Sequence, residues 1–296
     1  MSFEPVVLFF VLAVTACLLR SDLKIPGSIY EALSFFILLA IGLKGGVELS
    51  KHDVGSLVAS GLIIVLVGAI IPLVAFPFLR YLGRMSRADS ASIAAHYASV
   101  SVVTFSVGIT LLGQEMLAYE GYLIVFLVLL EMPGLVIGVI LARYGAGKVR
   151  WGKLLHEVFF GKRIYLLAGG LVIGYFAGHV GIKPLDKLYF DLFKGVLALF
   201  LLEMGLVASA RIAALREYGF FLSGFAVLMP IFSVTLGTVT GWMLGLSVGG
   251  TFLLATLFAS ASYIAAPAAM RIAVPEANPA VKSKICCKFA LVRLVM

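Results

Sequence analysis

Apolar stretches long enough to cross a bilayer recur along almost the whole chain, and they leave few folds open. About 30 Å of hydrocarbon is spanned by roughly 20 apolar residues in a helix, and lipid offers backbone groups no partner outside the segment itself. The pattern predicts spans near residues 5–19, 28–43, 55–79, 90–112, 121–142, 164–181, 188–208, 219–245 and 249–270. Only 13% of the residues are charged, against about 25% in soluble domains. The first stretch has no basic residue ahead of it and is followed by Arg20, so it reads as a span rather than a cleaved signal.

The net charge of +8 would suit a nucleic-acid binder if the charges were clustered for it. Their placement argues otherwise. With the N-terminus outside, the outer loops receive Lys44, Lys51, Lys183 and Lys187, and Lys194 stays within a span. The remaining 18 of 23 Lys and Arg fall on the inner side, six of them between Arg143 and Arg163. That is the positive-inside bias of a multi-pass protein in the inner membrane, with cytoplasmic basic loops and no nucleic-acid role. Cys17, Cys286 and Cys287 give no disulfide framework, and the scattered histidines give no metal spacing. No span carries paired aspartates, a zinc motif or a Ser–His pair with a third partner, so the chain is not read as an enzyme.

Two hydroxyl-bearing runs interrupt the apolar pattern: Ser99-Val100-Ser101-Val102-Val103-Thr104 and Ser260-Ala261-Ser262-Tyr263-Ile264-Ala265, 161 residues apart. Hydroxyls and loosened backbone inside a membrane belong to a protected cavity. Ile41-Gly42-Leu43 is matched by Met204-Gly205-Leu206 at an offset of 163. Two near-equal offsets point to an internal repeat. An odd number of spans per half makes the repeats inverted, a design of secondary transporters.

The expected fold is therefore all-α and polytopic, with inverted five-helix repeats and a broken helix in each. The first repeat covers residues 1–145 and the second 164–280, separated by a basic cytoplasmic linker, 146–163. Residues 281–296 carry Lys282, Lys284, Lys288 and Arg293, each costing about 2.5–3.5 kcal/mol at mid-bilayer. They read as a polar tail, so the second repeat is expected to lack its last helix. Gly134/Gly138, Gly170/Gly174/Gly178 and Gly237/Gly241/Gly245 have the small-xxx-small spacing of close helix packing. Pro72, Pro133, Pro230 and Pro267 are expected to kink helices.

A helix interrupted at mid-membrane exposes N–H groups with partial positive charge, ready for a small anion. Ser99, Ser101 and Thr104 line one side of such a site; Ser260, Ser262 and Tyr263 line the other. The alternative is that these hydroxyls bond carbonyls of their own helices. Glu131 and Glu203 are the candidates for coupling to sodium or protons, with a structural hydrogen bond as the other reading. His96 reads as a satisfied interior histidine, and Lys194 as a side chain reaching for the interface.

The strings Ala95-His96-Tyr97-Ala98-Ser99-Val100-Ser101-Val102-Val103-Thr104-Phe105 and Ser260-Ala261-Ser262-Tyr263-Ile264-Ala265-Ala266-Pro267-Ala268-Ala269-Met270-Arg271 resemble the sodium-dependent bicarbonate transporter family. So do Ile41-Gly42-Leu43-Lys44-Gly45-Gly46 and Pro275-Glu276-Ala277-Asn278-Pro279. The resemblance implies ten helices in core and gate domains, a homotrimer, elevator-type import of bicarbonate with sodium, and no other cofactor. It places the anion at Ser99, Ser101, Ser260 and Ser262, and implies regulation by a PII-like trimeric protein. The chain departs from it in two places. Tyr263 stands where known cyanobacterial members have an acid, and Val281–Cys287 replace the start of a tenth helix. A shifted reading frame would produce that tail, and an impaired carrier is then expected. The rival readings are another sodium- or proton-coupled organic anion permease, or a transport-defective membrane sensor or scaffold.

Overall fold

A computed structural model describes residues 4–143, 152, 156, 160–209 and 219–261. The described residues are mostly helical, with no strand among them. Helix α1 spans Pro5–Leu18, α2 Gly27–Leu49, α3 Val54–Pro77, α4 Arg87–Ala98 and α5 Val102–Gln114. Then follow α6 Leu123–Arg143, α7 Lys162–Ile182, α8 Phe193–Ser209, α9 Gly219–Met243 and α10 Val248–Ala259. Among the described residues, six segments are long and apolar enough to cross a membrane: Gly27–Leu49, Val54–Leu82, Arg87–Gln114, Leu123–Ala142, Ile164–Leu185 and Phe221–Met243. Pro5–Leu18 and Val248–Ala259 are shorter apolar helices.

Local chemistry sets the helix ends. Asp53 accepts from the Ser56 N–H at 3.0 Å and starts α3. Ser86 accepts from the Asp89 N–H at 3.1 Å and donates to its carboxylate at 2.7 Å, starting α4. Ser247 caps α10 through the Gly250 N–H at 3.0 Å. The same Ser247 gives its own N–H to the Glu120 carboxylate at 2.7 Å, tying the loop before α6 to the loop before α10.

The helices sort into two groups. In one, α2 lies along α7 and α1 along α8; in the other, α3, α4 and α6 pack together, and α9 packs on α10. Glycines make the first group close. Gly42 and Gly46 of α2 face Gly170 and Gly174 of α7, so near that a Cβ on Gly46 would overlap the Leu171 carbonyl and one on Gly174 the Leu43 carbonyl. Contacts advance in the same direction on both helices, and Lys162 bonds Glu31 at 2.9 Å near their starts. α2 and α7 therefore run parallel. Gly205 of α8 sits in the same way on α1, where a Cβ would lie 2.6 Å from both Ala13 Cβ and the Phe10 carbonyl.

Between the groups, α2 touches α5 and α6, α6 touches α7, and α5 touches α8. Gly45 meets Ile124 there, Gly121 meets the Glu48 stem, and Lys44 lies 5.9 Å from the Tyr119 ring centre. On α3, Val58, Leu62, Leu66 and Leu73 form an exposed apolar stripe, the surface that lipid solvates at no cost.

Two packing expectations change. Gly178 and Gly245 do not pack against a neighbour; they have φ of +59° and +70°, with nothing within 4 Å of where a Cβ would stand, and serve to turn the chain. Gly178→Ala places a Cβ in backbone that is nearly glycine-only, ψ being −172°. It should lower stability by about 1–3 kcal/mol, read as a fall in the melting temperature of the detergent-solubilised protein. Lys194 is the second residue of α8 and exposed, following the separate π-helical turn Lys187–Asp191. Pro267 lies outside the described residues.

Candidate functional site

The segment 90–112 is not one helix. α4 stops at Ala98, Ser99 is extended (φ −102°, ψ 138°), Ser101 is extended (φ −111°, ψ 111°), and α5 starts at Val102. β-branched Val100 and two serines that compete for backbone bonds favour this interruption. The break is buried: Ser99, Val100 and Ser101 are each at most 4% exposed. Small residues seat it. α6 crosses at Ala98, whose carbonyl a Cβ on Gly134 would overlap, and at Ala95, which faces Gly138.

α10 leaves helical geometry at Ser260 (φ −72°, ψ 160°), itself buried. The two places meet directly. The Ser101 N–H donates to Ser260 Oγ at 2.8 Å across 159 residues of sequence, and Ser260 Oγ donates to the Leu257 carbonyl at 2.8 Å. Ser101 Oγ accepts from the Thr104 N–H at 3.2 Å, and the first intrahelical bond of α5 is Phe105 N–H to the Ser101 carbonyl at 3.1 Å. The N–H groups of Val102 and Val103 thus precede the first carbonyl that the helix can offer them. They point toward the break with the positive end of the α5 dipole. Ser99 Oγ is fully buried and has no hydrogen-bond partner among the described residues. N–H groups, hydroxyls and exclusion of water are what a dehydrated anion needs; nothing in this set activates a bond.

Ser99, Ser101, Thr104 and Ser260 are therefore brought together, with Thr104 half-buried at the start of α5. Ser262 and Tyr263 lie outside the described residues. Glu131 is buried on α6 one turn before Gly134, on the same side of the helix, and so close to the Ala98–Ser99 corner. Glu203 is half-buried on α8, whose main partners are α1 and α2. It is not brought to the break. The alternative of bonding to carbonyls of the same helix is met by one of the named hydroxyls, Ser260 Oγ donating to the Leu257 carbonyl, and also by Ser106 and Thr110, which donate to the Val102 and Ser106 carbonyls at 2.7 and 3.0 Å. Sequence reasoning missed the Ser101–Ser260 bond, since nothing local to either serine signals its partner. It also missed the role of Gly134 in seating the break, although the spacing to Gly138 marked a close approach.

Comparison with curated proteins finds no match. The family model of the Na+-dependent bicarbonate transporter superfamily matches residues 5–290. That is nearly the whole chain, and it covers both hydroxyl-bearing runs. The chain belongs to the Na+-dependent bicarbonate transporter superfamily, a family of membrane carriers and not of enzymes.

Proposed function

We propose that this chain imports bicarbonate with sodium across an inner membrane, N-terminus outside, by moving one helix group against the other. The observation that carries the reading is the hydrogen bond between Ser101 and Ser260, which brings the two sequence-marked interruptions to one buried point. The anion would bind there, its oxygens taking the Val102 and Val103 N–H groups and the Ser99 and Ser101 hydroxyls. Charge-assisted bonds of this kind offset the loss of hydration. A sodium ion near Glu131 would balance the charge, so each ion would favour the other.

An inverted repeat is supported by the pairing of helices. A two-fold axis that exchanges spans one and six, and two and seven, converts the α1–α8 contact into the α7–α2 contact. Both contacts occur, and the matched glycines Gly42 and Gly205 sit in them as counterparts. Elevator motion is supported by the unequal packing. Glycine-to-backbone contacts hold α2 to α7, whereas Gly45 on Ile124 and Lys44 over Tyr119 join the groups through side chains. A seam of that kind slides at lower cost than one built of interlocked backbones.

Purified protein in liposomes should accumulate labelled bicarbonate when sodium is imposed outside and not when potassium replaces it. Accumulation of an organic anion with which bicarbonate does not compete would favour the organic anion permease instead. No uptake of either would remove the carrier reading.

A further inference from the structure

Resting on the bicarbonate reading, we propose that His96 reads the proton on the transported anion. Ser92, His96 and Ser99 are spaced four and three apart, on one side of α4. That side is separate from the Ala95 and Ala98 side that seats α6 and from the Tyr97 side, where the ring meets Phe225 edge-on at 5.3 Å. All three residues are buried, His96 at 3% exposure. Nδ1 of His96 lies 2.5 Å from the Ser92 carbonyl oxygen. A carbonyl only accepts, so Nδ1 is the donor, and in a neutral imidazole the other nitrogen then carries the lone pair. That atom, Nε2, is buried with no hydrogen-bond partner among the described residues, as is Ser99 Oγ one turn further on.

In this proposal the Nε2 lone pair lies beside the anion, which is unfavourable unless the anion brings a hydrogen to meet it. Hydrogencarbonate does. Two of its oxygens seek donors, which the break supplies; the third carries O–H and seeks an acceptor. A serine hydroxyl turns to donate or accept, so Ser99 and Ser101 do not discriminate between protonated and unprotonated oxyanions. The ring held by Ser92 does. It accepts from O–H and repels the same oxygen when bare, the kind of repulsive element on which specificity rests. The ligand class is a small planar oxyanion that carries its own proton. Nitrate, of the same shape and charge without the proton, is the anion rejected.

Two amide variants separate this role from a structural one. In His96→Asn the shorter amide reaches only the position of Nδ1, keeps the Ser92 contact and loses the acceptor. In His96→Gln the amide reaches the position of Nε2 and restores an acceptor there. Labelled bicarbonate uptake into liposomes with sodium imposed outside, competed with nitrate, gives the preference as a ratio. His96→Asn should lower that ratio by about ten- to a hundredfold, the worth of one buried hydrogen bond left unmade, chiefly through a raised KM. His96→Gln should keep most of it. The reverse order, or an unchanged ratio in His96→Asn, would overturn the proposal while leaving bicarbonate transport intact. Absence of bicarbonate uptake by the unmodified protein would instead overturn the transport reading and this inference with it.

Discussion

Ser260→Ala should reduce sodium-driven bicarbonate uptake about five- to a hundredfold, although it deletes one oxygen and leaves every helix in place. Ser260 Oγ is the acceptor for the Ser101 N–H at 2.8 Å, and alanine leaves that buried donor without it. The cost of such an orphan is about 1–3 kcal/mol, and about 1.4 kcal/mol is a factor of ten in rate or affinity. The break would relax to recover a partner, shifting the Val102 and Val103 N–H groups from the anion. Ser101→Ala acts on the same bond network by removing the N-cap of α5, worth about 0.5–2 kcal/mol. The double variant should therefore cost less than the sum of the two, because groups in one network are not additive. Ser233→Ala is the matched control. Ser233 is fully buried on α9 and its hydroxyl has no partner among the described residues, so uptake should be unchanged. Equal uptake by the Ser260 and Ser233 variants would show that the meeting of the two breaks is incidental to transport.

The contrast between Ser260 and Ser233 also marks what was legible in the sequence. Helices lie at the stretches marked by their apolar length, because burial in lipid is decided residue by residue along the chain. The interruption at Ser99–Ser101 was legible for the same reason: a hydroxyl pair in an apolar run has a local cost that only a local change of backbone explains. Which helices lie side by side was not legible. α2 lies on α7 and α1 on α8, and in each case more than a hundred residues separate the contacting glycines from their neighbours. Gly170 and Gly178 share one spacing pattern, yet a Cβ on the first would stand 3.1 Å from the Leu39 carbonyl and the second turns the backbone. Spacing says where a backbone approach is possible; the opposing helix decides whether it happens. Lys194 shows the limit at helix ends, where the π-helical turn Lys187–Asp191 moves the start of α8 to Phe193 and leaves the lysine one residue inside it.

Gly46→Val should disrupt the α2–α7 pair, while Gly169→Ala, one helix face away, should be neutral or stabilising. At Gly46 a Cβ overlaps the Leu171 carbonyl and stands 2.6 Å from the Tyr175 nitrogen. Both neighbours are backbone, so no side-chain rotation makes room. Relief requires the two helices to separate, which also lifts Gly42 off Leu167 and Gly174 off Leu43. Overpacking costs typically 1–3 kcal/mol where side chains can yield; here the cost should reach or exceed the upper end of that range, about 3 kcal/mol. At Gly169 nothing lies within 4 Å of a Cβ, and replacing an interior helical glycine by alanine gains up to about 1 kcal/mol of propensity. Size-exclusion profiles and melting temperatures in one detergent read both variants. Gly46→Val should elute early or aggregate with a lowered melting temperature, and Gly169→Ala should match the parent protein. If Gly46→Val melts with the parent, α2 and α7 are not held by backbone contact. The rigid group against which the anion site would move then loses its physical basis.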